Sequence, residues 1–163
     1  MIEVLAIWVP AVVICRAWER LSHFTWWGVA VHVFMLCVEG FTRFDAWWGT
    51  DICVQSVVLA GVFLMSWALE CDMLNEAWRD MGTPAYIAGN FLVHYLPFVS
   101  AFARREHGKP CRATPIAVLL WLLYNVVSRE PPGDVYGCSI PEGVVTAGGA
   151  LVGAAAALLP CAL

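Results

Sequence analysis

Residues 47–69 read WWGTDICVQSVVLAGVFLMSWAL, and across these 23 positions Asp51 is the one charged side chain. A helix rises about 1.5 Å per residue, so the stretch makes a rod of roughly 34 Å, enough to cross the hydrocarbon core of a bilayer. The tryptophan pair that opens it is the residue type favoured at a membrane–water boundary. Working outward, five further apolar runs occupy 2–15, 24–41, 84–103, 114–127 and 141–163. The pattern predicts an all-α polytopic integral membrane helix bundle of six transmembrane helices. The count falls to five if 2–15, which carries Pro10 midway, lies in the interface instead of spanning. All 163 residues form a single transmembrane domain in this reading.

Composition points the same way. Hydrophobic residues make up 61% of the chain and charged residues 13%, against about 45–50% and about 25% in ordinary soluble domains. So few charges, gathered in short stretches, cannot cover a water-facing surface, and membrane lipids are the expected partner. A formal charge of −4 excludes the basic face that nucleic acid requires. The seven cysteines contain no C-x-x-C pair, so no zinc ribbon or thioredoxin motif is written here, and neither a metal nor a cofactor is expected. Glu3 stands where a signal peptide carries basic residues, so the first segment is expected to be retained.

The connections carry their own signals. Arg104, Arg105, Lys109 and Arg112 crowd the link between runs four and five, which places it on the cytoplasmic side or its organellar equivalent. The C-terminus belongs on that same side. Residues 70–82 present Leu74, Trp78 and Met81 at helical spacing among acidic residues, the pattern of a short amphipathic surface helix. Thr83-Pro84 then opens run four with proline in the first turn, where its missing N–H is not needed. Residues 128–141, with Pro131-Pro132, Gly133 and Gly137, read as turns and not as helix. Cys71 and Cys138 fall on the side opposite the basic link and are candidates for a disulfide. In the last run, Gly149, Gly153 and Ala157 recur every fourth residue, a stripe that lets helix backbones approach closely.

Ionisable and polar side chains within apolar runs are costly and ask for a reason. The candidates are His32 and Glu39 on run two, Thr50, Asp51, Gln55 and Ser56 on run three, Asn90 and His94 on run four, and Tyr124 and Asn125 on run five. Asp51 and Gln55 are four apart and share a helix face, as do Asn90 and His94. Pro97 cannot donate to the Val93 carbonyl, which leaves a free acceptor beside His94. Counted from the ends of their runs, both histidines lie roughly 14 Å deep. His32, Asp51, Gln55 and Asn90 are therefore the expected binding residues. Such a site can hold a ligand, relay protons or act as acid and base on a lipid group; equally, each polar group can simply bond to a neighbouring helix.

Three stretches carry a resemblance: Trp47-Trp48-Gly49-Thr50-Asp51, then the segment from Asn90 through His94 to Phe98, then Leu119 to Tyr124 leading to Val135-Tyr136-Gly137 and Pro141. Over roughly 90 residues the chain resembles the androgen-inducible family of fatty-acid-ester hydrolases, multi-span proteins with an intramembrane Thr and His. The resemblance implies a small intramembrane hydrolase acting on a lipid ester, with Thr50 as nucleophile and His94 as base. The alternative is a non-catalytic subunit of a larger membrane complex, or a small channel or carrier, with homo-oligomer or membrane-complex partners.

Overall fold

The computed structural model describes residues 4–14, 23–38, 47–64, 83–104, 114–128, 131–139 and 141–162, and these contain helices and turns but no strand. A π-helical turn, Val4–Trp8, runs into α1 (Val9–Ile14). Then come α2 (Phe24–Cys37), α3 (Trp48–Phe63) and α4 (Thr83–Asn90). A second π turn, Phe91–Tyr95, joins α4 to α5 (Leu96–Arg104). The order closes with α6 (Thr114–Val127), the single turn α7 (Pro132–Val135) and α8 (Glu142–Ala162). Glu39, the expected surface helix at 70–82, Cys71, and Arg105, Lys109 and Arg112 of the basic link lie outside the described residues.

Helix α3 is the axis of the bundle. From Trp48 to Val58 every residue is buried, which requires neighbours on all sides. Helices α2, α5, α6 and α8 supply them. The close approach to α8 follows from the small-residue stripe. A Cβ at Gly153 would stand 3.1 Å from Val57, and one at Gly149 would stand 2.5 Å from the Trp121 ring of α6. One turn on, the Cys53 thiol donates to the Ala157 carbonyl at 3.3 Å. The stripe is thus consumed within this chain, between α8 and its two neighbours.

Both π turns end two residues before a proline: Val4–Trp8 before Pro10, and Phe91–Tyr95 before Pro97. At Pro97 the cause is visible. Proline has no N–H to give the Val93 carbonyl, and the Leu96 N–H reaches back five residues to Phe91. The chain from Thr83 to Arg104 nevertheless stays helical throughout. At its end the Arg104 guanidinium lies 5.6 Å from the centre of the Trp48 ring and hydrogen-bonds to Ser100. Arg104, the start of α3 and the last turns of α8 therefore share one end of the bundle.

Residues 128–141 depart from the expected helix-free turns. Pro132 opens the one-turn helix α7, with the Asp134 and Val135 N–H groups donating to Pro131. Proline suits a first helical position, and a single turn needs no more. Gly137, at φ 63°, then reverses the chain into a conformation that glycine adopts freely.

Apolar side chains also cover much of the outside, with Val126 82% and Leu151 73% exposed. Helix α8 alone among the described helices is long and apolar enough to cross a membrane, through Glu142–Leu159. The apolar helices α2, α3 and α6 are shorter. Runs 24–41 and 47–69 were counted as spans by apolarity, which continues past the end of described helix: α2 ends at Cys37 and α3 at Phe63.

Candidate functional site

The polar residues of the apolar helices gather in two places. The first lies between α2 and α3. His32 Nδ1 meets Asp51 Oδ2 at 2.7 Å, and both side chains are fully buried. Gln55, one turn along α3 from Asp51, donates to Asp51 Oδ1 and to the Gly28 carbonyl of α2, each at 2.9 Å. Trp8 packs edge-on against the His32 ring at 5.2 Å between centroids, and Trp48 closes another side at 6.5 Å. His32, Asp51 and Gln55 are thus brought together in a packed core, apart from His94. The cluster ties α2 to α3, and within it Gln55 Oε1 has no protein partner.

The second place is a small cleft, open in part to the outside, with walls from α2, α3, α6, α8 and the π turn. Its lining is apolar apart from Thr25, His94 and Tyr136. His94 projects from the π turn, with Nδ1 3.2 Å from the Asn90 carbonyl and Nε2 3.0 Å from the Thr25 hydroxyl. A carbonyl can only accept, so Nδ1 carries the proton and donates to it. Nε2 of a neutral ring is then an acceptor, and the Thr25 O–H points at it. This is the arrangement by which an imidazole activates a hydroxyl nucleophile, with the Asn90 carbonyl holding the tautomer.

Asn90 therefore contributes its main chain, while its buried side-chain oxygen has no protein partner. Tyr136 closes the cleft beside Thr25. Its hydroxyl accepts from the Phe24 N–H at 2.8 Å and so caps α2, whose N-cap residue His23 makes no side-chain cap. Tyr136 is also hydrogen-bonded to Tyr124, and burial pushes its phenol well above the ordinary range, which keeps the proton in place. Trp121 forms another wall, its indole N–H donating to the Thr146 carbonyl at 3.2 Å. Thr146 in turn donates to Asn125 at 2.8 Å, so Asn125 serves the α6–α8 joint.

Two expectations change. The histidines do not share one level: His94 bonds to Thr25, which is two helical turns, roughly 10 Å, from His32 on α2. Counting from run ends fails because helices begin and tilt independently of where apolar sequence starts. Thr50 does not meet His94 either. It is buried in the first turn of α3, beside Asp51, whereas the cleft begins at Val57, roughly 10 Å further along. Sequence reasoning passed over Thr25 because it stands at the edge of its apolar run. The signal available was its spacing of seven from His32, which puts both on one face of α2.

Among the described residues no group of three or more His, Cys, Asp or Glu side chains is placed to hold a metal ion. Cys37 and Cys53 are not disulfide-bonded, whereas Cys138 is. No protein-family model, no curated protein and no solved structure matches this chain.

Proposed function

We propose that the chain is a multi-pass membrane protein that hydrolyses a lipid ester at the Thr25–His94 pair. The observation that carries the chemistry is the hydrogen-bond chain from the Thr25 hydroxyl through the His94 ring to the Asn90 carbonyl, set on the wall of an apolar cleft. The membrane setting is supported by the exposed apolar faces of α6 and α8 and by the low charge content of the chain. Thr25 takes the nucleophile's place that the family resemblance assigns to Thr50.

His94 Nε2 takes the Thr25 proton as the oxygen attacks the ester carbonyl. The resulting imidazolium returns the proton to the departing alcohol, which leaves an acyl-Thr25. Water, deprotonated by the same nitrogen, attacks the acyl carbon; the bond to Thr25 breaks, the carboxylic acid departs, and the imidazolium returns its proton to the Thr25 oxygen.

Turnover of lipid esters presented in vesicles tests this. Thr25→Ala and His94→Asn are each expected to lower the rate about a thousandfold or more, and Thr25→Ser should retain activity. Asparagine can keep a hydrogen bond but shuttles no proton at neutral pH, so an active His94→Asn protein would end the catalytic reading. A non-catalytic role in a larger membrane complex has one observation on its side. The other polar cluster, His32–Asp51–Gln55, is sealed in the core and joins helices.

A further inference from the structure

A glycine inside a helix weakens it relative to alanine, so each one asks for a reason. Three have one in close packing: a Cβ would stand 2.8 Å from Val58 at Gly28, 2.5 Å from Trp121 at Gly149 and 3.1 Å from Val57 at Gly153. Gly61 has no such reason, since a Cβ there would meet nothing within 4 Å. Gly143 and Gly148 are equally open, but Gly61 alone of these three lines the cleft. A Cβ at Gly61 would thus enter open space, on a residue that lines the cleft.

Its position is set by the α2–α3 contact. The pairs His32–Asp51 and Gly28–Gln55 run in opposite directions along the two helices, and Gly28 also abuts Val58. Three residues further on each helix, Thr25 and Gly61 come to one level. Around Gly61 the wall is made by Val57, Val58, Val62 and Leu64, and no Lys, Arg, Asp or Glu lines the cleft.

We infer that Gly61 is the size-determining residue of the cleft. Its missing side chain leaves room beside Thr25 and His94 for the hydrocarbon part of an uncharged ester, and a larger residue takes up that room. The inference rests on the cleft being the substrate site.

The test uses the full chain in lipid vesicles and a palmitate carrying a mid-chain diazirine. Photolabelling in a Thr25→Ala background is mapped to the α3 and α6 segments that wall the cleft. Adding Gly61→Leu should lower this labelling about tenfold or more, with Gly61→Ala in between. Leucine favours helix and its Cβ would meet nothing within 4 Å, so a cooperative melt is expected; should Gly61→Leu fail to fold, the partial loss in Gly61→Ala decides. Undiminished labelling in the Gly61 variants overturns the inference, and so does a parent cleft that takes no label. Labelling is scored without turnover, so it can fail while the Thr25–His94 chemistry stands, and the reverse.

Discussion

His32 meets a carboxylate at 2.7 Å in a sealed core, whereas His94 meets a hydroxyl at 3.0 Å on the wall of a cleft. The residues around them are alike: both sit on apolar helices with tryptophan nearby. What separates them is the partner and the access. His32 is paired with a group that a packed interior tolerates only when fully bonded, and Gln55 completes that bonding. His94 is held by a main-chain carbonyl on one nitrogen and presents the other to a hydroxyl beside open space. Burial of a histidine is thus no guide to its role; its hydrogen-bond partner and its access to open space are.

The sharpest way to break this comparison is to exchange the two losses. His94→Asn should remove turnover by about a thousandfold or more while costing about 0.6 kcal/mol of stability, the average for a bond between membrane helices. Asp51→Ala should do the opposite. It strips His32 and Gln55 of their shared acceptor and is expected to cost about 3 kcal/mol in detergent unfolding. Comparable losses of activity and stability in both variants would erase the distinction.

Next in size is Gly149→Val, which drives a side chain into the Trp121 ring on the wall of the cleft. Overpacking of this kind costs about 1–3 kcal/mol, read as a lowered melting temperature. Tyr136→Phe removes the acceptor that caps α2 at Phe24, with an expected cost of about 1 kcal/mol. The smallest effect belongs to Thr50→Val. Thr50 lies with the core cluster and not with His94, so turnover should stay within about twofold of the parent by steady-state assay. A Thr50→Val protein as inactive as Thr25→Ala would return the nucleophile to α3.

The all-helical class and most helix positions were legible in the sequence because apolar runs and their polar breaks mark them directly. The spacing of Asp51 and Gln55 and the Gly149–Gly153–Ala157 stripe both became contacts, since spacing on a single helix survives any arrangement of the bundle. What one helix cannot announce is the register between two. The pairing of His94 with Thr25, 69 residues apart, depends on how α2 slides against the π turn. Likewise Tyr136, quoted within a turn-rich link, gave no hint of reaching the first turn of α2. The π turn before Pro97 was half legible: proline announced a freed carbonyl, but not the five-residue bond that absorbs the strain.

The bond from Phe24 to Tyr136 spans 112 residues of chain. Synthesis runs from the N-terminus, so Thr25 and His94 are both made well before the hydroxyl that closes the end of α2. A nascent chain arrested ahead of residue 136 holds Thr25 on a helix whose first N–H still lacks this partner. Closure of the α2 end is thereby a late event: the link that carries Tyr136 emerges after both Thr25 and His94.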